Sequence, residues 1–267
     1  TILYISKNKN KKNFKINYFT YIYDCFLSII KIIKQSPDII IISLWKSCLA
    51  AIFVKLLKPK VKIILFLHSS NLNFIDYFFN NIIAIIAYEI WADSTNTLNN
   101  RLNSFYFVKK RTNKNVISFV LSHLSTLKLS AINTNFIYWG RLHPIKNIRN
   151  SIDIFYSVYK VRNNSKFIII GPDDGDFLNL KKNIIELKLQ NAVKIYSQMS
   201  LENIKEIAKN SSFFIQSSLS EGMAMSVLES MQLGLVPIVS NVGNIQNYCK
   251  DKFNSLIIDQ SIKRKIL

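Results

Sequence analysis

The sequence predicts an α/β protein of two doubly wound domains facing a cleft, and three observations predict it. Short β-branched runs alternate with longer segments of helical period along the whole chain. The runs are apolar at nearly every position, as parallel strands covered on both faces are. And 267 residues is roughly two domains' worth of chain.

The strand-like runs, in order, are 1–5 (TILYI), 38–44, 61–67, 116–120, 135–139, 166–170, 192–196, 212–216, 235–240 and 255–258. Helical periodicity fills the gaps near 20–35, 46–57, 74–88, 94–107, 148–162, 176–189, 201–209 and 224–233. Strands separated by helices imply crossover connections, hence parallel sheets. Between about 120 and 134 the period is lost and Ser, Leu, Asn and Thr take over, so the domains are set at 1–133 and 134–267. Ligands of such folds sit at the carboxyl ends of the strands.

Composition narrows the function. Hydrophobic residues make up 49% of the chain, enough for packed cores and too many for a disordered chain. No apolar run reaches the roughly 18–20 residues that span a bilayer, and no secretory signal pattern opens the sequence. Cys25, Cys48 and Cys249 lie far apart, which argues against a disulfide framework and a zinc module and suits the cytoplasm. The net charge of +19 is uneven: 18 Lys/Arg against 5 Asp/Glu before residue 134, and 17 against 11 after it. A bias toward Lys, Asn, Ile, Phe and Tyr explains the excess but not its asymmetry. The alternative is a basic face for anionic lipid or another polyanion. No RNA-recognition, zinc-finger or helix-turn-helix pattern accompanies the charge, so no specific nucleic-acid partner is expected.

All six glycines lie beyond residue 139, so backbone-built ligand loops are expected in the second half. The densest signal is 213–244. A strand leads into the loop Ser218–Gly222, a helix runs to Leu233, and Gly234 suits its left-handed end. The N–H groups of Gly222, Met223, Ala224 and Met225 at the helix mouth form an anion site of the kind that takes diphosphates. Glu221 and Glu229 stand eight apart. On one regular helix that is about 12 Å of rise, enough to address two parts of one elongated ligand. The alternative makes Glu221 a partner of the helix dipole and Glu229 a solvated residue, but Glu229 has Val227, Leu228 and Met231 around it.

After the strand 135–139 comes Gly140-Arg141-Leu142-His143-Pro144-Ile145-Lys146-Asn147, whose two cations, five apart, suit a phosphate. A third loop, Gly171-Pro172-Asp173-Asp174-Gly175-Asp176, holds an Asp-x-Asp pattern. It reads better as a turn ending in a helix N-cap than as a metal site. His68 closes the strand 61–67.

Together these residues resemble the retaining glycosyltransferases of the GT-B fold, group 1 (family four), with two Rossmann-like domains. Phe136–Leu142 with Lys146-Asn147 is similar to the family's strand, Gly-Arg-Leu and Lys-Asn. Ser220-Glu221-Gly222-Met223-Ala224-Met225-Ser226-Val227-Leu228-Glu229 resembles its Glu-x7-Glu motif. Leu235–Val239 and Asn254–Leu256 resemble the family's segments on the carboxyl side of that motif. In the first half, Pro37–Ile41, Leu67-His68-Ser69 and Ala92-Asp93-Ser94 match more loosely. The family's opening strand and glycine-rich loop are missing, Ser118–Ser122 replaces its Pro-Asn-Gly, and the chain stops before its terminal helix. Both ends therefore read as truncated.

The resemblance implies a hexosyltransferase that moves sugar from a UDP- or GDP-linked donor to a saccharide or lipid-linked acceptor. The setting would be surface polysaccharide or lipopolysaccharide synthesis, in the cytoplasm and peripherally at the inner membrane face. Transfer would occur with retention, by front-face attack within an ion pair, without metal or cofactor. Catalysis would rest on Arg141, Lys146, Glu221 and His68. Donor binding would fall to Gly140, Gly222, Met223, Ala224, Met225 and Glu229, with Glu229 on the ribose diol. The alternative is an inactive or truncated nucleotide-sugar-binding remnant.

Overall fold

The computed structural model describes residues 18–68, 74–102, 112–117 and 133–258. The chain divides into two compact units, Thr1–Ser118 and Phe119–Leu267. The run 1–5 and nearly all of the stretch 120–134 lie outside the described residues.

In the first unit α1 (Tyr18–Gln35) leads to β1 (Ile39–Ile42), α2 (Leu44–Leu57), β2 (Lys62–Leu67), α3 (Phe74–Ile86), β3 (Glu89–Ala92), α4 (Thr95–Leu102) and β4 (Asn113–Val116). The strands are parallel and lie in the order β1-β2-β3-β4. Consecutive right-handed crossovers keep the connecting helices on one face, and α2 packs on α3, α3 on α4. Ile42, Ile63, Leu65, Ile90 and Ala92 fill the core beneath them. Ile39 and Ile41, on the other face of β1, which is the outermost strand among the described residues, are 51% and 59% exposed. The sequence reading missed β3. In Glu-Ile-Trp-Ala only alternate residues are buried, and four residues were too few to stand out between two helical patterns.

The second unit holds β5 (Phe136–Trp139), α5 (Ile148–Tyr159), β6 (Phe167–Ile170), α6 (Phe177–Glu186), β7 (Val193–Tyr196), α7 (Leu201–Ala208), β8 (Phe213–Gln216), α8 (Met225–Gln232), β9 (Val236–Ser240), α9 (Ile245–Tyr248) and β10 (Leu256–Ile258). Its strand order is β10-β9-β8-β5-β6-β7, all parallel. The chain winds outward from β5 to β7, returns to place β8 beside β5, and winds outward the other way. Phe136 is the hub of the core, its ring 5.5 Å from Phe155, 6.3 Å from Phe167 and 5.3 Å from Phe213. Each such ring contributes about 1.5–3 kcal/mol by burial. Ser200 caps α7 by accepting from the Asn203 N–H, and Gly234, at φ 84°, ends α8 as its left-handed residue.

Among the described residues no helix is long and apolar enough to cross a membrane.

Candidate active site

The reversal between β5 and β8 is a topological switch point, where the loops leaving two adjacent strands turn apart and open a crevice at their carboxyl ends. The loop after β5 carries Gly140, Arg141 and Lys146. The loop after β8 carries Glu221 and Gly222. The Arg-Lys loop and the Glu-Gly loop, far apart in sequence, are thus neighbours because of strand order.

Hydrogen bonds then lock the loops together. His143 Nδ1 accepts from the Ile145 N–H, shaping a single 3-10 turn over Pro144–Lys146, and Asn147 comes next at φ 49°. Ser217 Oγ donates to the Asn147 carbonyl at 2.7 Å and the Leu219 N–H to the Ile145 carbonyl at 2.8 Å. On the far side the Asn244 N–H donates to the Gly222 carbonyl and Tyr248 Oη to that of Met223. Gly243 stands at φ 60° with so little room that a Cβ there would lie 2.1 Å from the Glu221 carbonyl oxygen.

Lys146 and Glu221 meet across this junction. The ammonium donates to both carboxylate oxygens, at 2.7 and 2.9 Å, with the side chains 16% and 7% exposed. Gln216 Nε2 adds a third bond to Glu221 Oε1 at 2.7 Å, and Ser226 Oγ in turn donates to Gln216 Oε1. Charge-assisted bonds in such a half-dry site are about twice as strong as neutral ones. The Tyr138 phenol is pushed well up, first by burial and then by the Glu221 charge. Burial, Cys249 and Glu221 do the same to Tyr248, so both remain neutral donors.

The two cations of the loop part company. Arg141 reaches out to Asp174 at 2.6 Å with its side chain 62% exposed, while Lys146 turns inward. Asp174 is thus spent on an ion pair. Asp173, not Asp176, caps the next helix, its Oδ1 accepting from the Gly175 and Phe177 N–H groups. Asp176 occupies the cap position without a side-chain capping bond. The Gly171 backbone runs so close to Gly140 that a Cβ would lie 1.7 Å from its carbonyl oxygen.

Glu221 and Glu229 do not share a helix, because α8 begins only at Met225 behind a left-handed Ala224 at φ 56°. Glu221 is a loop residue and Glu229 a helical one. Among the described residues the N–H groups of Gly222, Met223 and Ala224 donate to no backbone carbonyl. Glu229 receives the Trp139 indole N–H on Oε2 at 2.8 Å.

His68 stands in the other unit. Ser43 Oγ lies 2.8 Å from its Nδ1 and Arg101 Nη2 donates to its carbonyl. Burial pulls the Arg101 guanidinium down to about 10, against Asp76 and Asp93, which favour its charge.

Sequence reasoning passed over Gln216, Ser226 and Trp139 as site residues. A lone Gln closing the apolar strand Phe213–Gln216, and a Trp beside Gly140, were the available signals. A recess of about 490 Å³ lies on another side of the Pro144–Asn147 turn, lined by Arg149, Asp176, Asn179 and Asn183 among others. None of the expected site residues lines it.

The family model for glycosyl transferases group 1 matches residues 131–266, which include every candidate residue above except His68. The chain belongs to this family.

Among curated glycosyltransferases, the GDP-mannose:cellobiosyl-diphosphopolyprenol alpha-mannosyltransferase of Xanthomonas oryzae is 25% identical over 125 residues, 46% of this chain and 33% of that protein. The UDP-Gal:alpha-D-GlcNAc-diphosphoundecaprenol alpha-1,3-galactosyltransferase of Escherichia coli is 32% identical over 126 residues, 45% and 31%. The matched stretch therefore spans about a third of these relatives' length. Among solved structures, the lipopolysaccharide outer core galactosyltransferase WaaB superposes with a TM-score of 0.67 at 20% identity, over 95% of this chain and 71% of that one. Sucrose-phosphate synthase of Thermosynechococcus elongatus gives 0.76 at 13% identity, over 93% and 67%. At these identities the likeness is one of fold, the GT-B fold.

Proposed function

We propose that this glycosyltransferase takes a hexose from a UDP- or GDP-linked donor and passes it, with retention, to a lipid-linked or saccharide acceptor in surface polysaccharide or lipopolysaccharide synthesis. The observation that carries the reading is the Lys146–Glu221 pair at the switch point of the second unit, beside three backbone N–H groups that donate to no backbone acceptor among the described residues. An ammonium beside such N–H donors is suited to a diphosphate. The relatives' names, which pair GDP-mannose or UDP-Gal with diphosphopolyprenol acceptors, support the donor and acceptor classes.

In the reaction the bond from the anomeric carbon to the diphosphate oxygen breaks, leaving positive charge on the sugar and negative charge on the departing diphosphate. Lys146 exchanges part of its hold on Glu221 for that diphosphate, and Arg141 leaves Asp174 to join it. Glu221, thus released, takes sugar hydroxyls. The acceptor hydroxyl attacks the face the diphosphate leaves, and its proton passes to the departing phosphate oxygen. Stabilising the leaving charge is the main catalytic effect, and these cations supply it without a metal. His68 has its part in transfer rather than in holding the nucleotide.

Peripheral attachment to an anionic membrane fits the basic first half. There Phe53, Leu56 and Leu57 stand exposed at the end of α2, with Lys58 and Lys60 just beyond them.

The test is transfer from radiolabelled UDP- and GDP-hexoses to a polyprenol-diphosphate saccharide, with the product's anomeric configuration read by NMR. An α-product from an α-donor, unaffected by EDTA, is expected. No transfer, together with no nucleotide binding, identifies a remnant.

A further inference from the structure

Trp139 is the last residue of β5, immediately before Gly140, and is almost wholly buried with its ring edge-on to Phe214 at 4.6 Å. An indole N–H only donates, and when buried it needs an acceptor. Here the acceptor is no backbone carbonyl but one carboxylate oxygen of Glu229, ninety residues on and half-buried in α8. β5 and β8, the strand that leads into α8, are the two strands that flank the switch point. A residue at the end of one of these strands therefore fixes a carboxylate on the helix that follows the other. Among the described residues Glu229 Oε1 accepts no hydrogen bond, so the carboxylate is tethered at one oxygen and open at the other.

We infer that Trp139 is a positioning residue for the donor's ribose. By holding Glu229 Oε2 it fixes the carboxylate plane and aims Oε1 at a ribose hydroxyl. The inference rests on the donor reading above, in which Glu229 takes the ribose diol. A carboxylate free to rotate loses part of its bond to that hydroxyl, because ordering it then falls to the binding step. Trp139 touches no substrate, so its removal weakens recognition of the ribose alone and leaves the diphosphate contacts intact.

The experiment measures dissociation constants of the full chain for UDP and GDP and for their 2′,3′-dideoxy analogues. Wild type is expected to bind the ribonucleotide at least about tenfold more tightly than the dideoxy form, as a hydrogen bond to a charged group implies. Trp139→Phe is expected to bind the ribonucleotide about five- to tenfold more weakly, with the dideoxy form unchanged, so that the ratio falls toward one. Glu229→Gln reduces the same ratio. If Trp139→Phe fails to fold, benzothienylalanine at 139 keeps the shape of the ring while removing only the N–H donor, and the same collapse of the ratio is expected. A ratio preserved in either Trp139 variant overturns the inference. Wild type that binds neither nucleotide, or does not distinguish ribose from dideoxyribose, overturns the donor reading itself, and the inference with it.

Discussion

In the second unit the strand order turns back on itself between β5 and β8, whereas in the first β1 to β4 succeed one another across the sheet without reversal. Both sheets are parallel and both have apolar cores. Among the described strands, the reversal between β5 and β8 is where two loops from distant parts of the chain leave adjacent strand ends. There Lys146, Glu221 and the N–H groups of the Gly222–Ala224 loop come from the ends of two adjacent strands. The first unit places His68 at a strand end against Ser43 and Arg101, whose guanidinium is held in turn by Asp76 and Asp93.

The largest effect expected from disturbing that arrangement is on catalysis. Lys146→Ala and Glu221→Ala each reduce transfer by a hundredfold or more, about 3 kcal/mol of charge stabilisation, in the polyprenol assay. The same substitutions strand a buried partner and lower unfolding stability by about 2–4 kcal/mol in denaturant titration. His68→Ala, in the non-reversing unit, separates the two functions. Transfer falls about ten- to a hundredfold while the affinity for nucleoside diphosphate stays at wild type. A matched loss of affinity would break the comparison.

Gly243→Ala tests the framing of the Glu221 loop. With φ at 60° and the Glu221 carbonyl in the way, it costs about 2–3 kcal/mol of stability and weakens nucleotide binding, both readable in one thermal-shift series with and without UDP. In the first unit, burial and the Asp76 charge push the Cys48 thiol up to about 12 from 9.0. Below pH 9 the thiol is protonated both folded and unfolded and contributes nothing to pH dependence. Above it the unfolded thiol ionises first, so stability declines from pH 9 toward 12. Urea midpoints across that range fall less steeply in Cys48→Ala. The smallest effect is on the stability contributed by Arg141. Its pair with Asp174 is solvent-exposed, so Arg141→Ala shifts unfolding by less than about 0.5 kcal/mol, in contrast to Lys146 five residues away.

The second unit's sheet could be read almost strand by strand from its apolar runs, because strands such as Phe136–Trp139 and Phe167–Ile170 are buried along most of their length and punctuated by glycine. β3 was lost because Glu89 and Trp91 interrupt its burial with polar contacts of their own. At the site, Lys146, Glu221 and Gly222 stood out by residue type. Their pairing did not, since it depends on β8 lying beside β5, and strand order leaves no periodic trace. The same holds for Trp139 and Glu229, and for Arg141, whose sequence neighbourhood with Lys146 suggests convergence while Asp174 draws it away.

Calorimetric titration of the full chain with UDP and with GDP, in wild type and in Lys146→Ala, tests the central claim most directly. The account predicts saturable one-to-one binding of one nucleotide by wild type, weakened at least about thirtyfold in the variant. Equal affinity in the two proteins, or heats of dilution alone for both nucleotides, would contradict it.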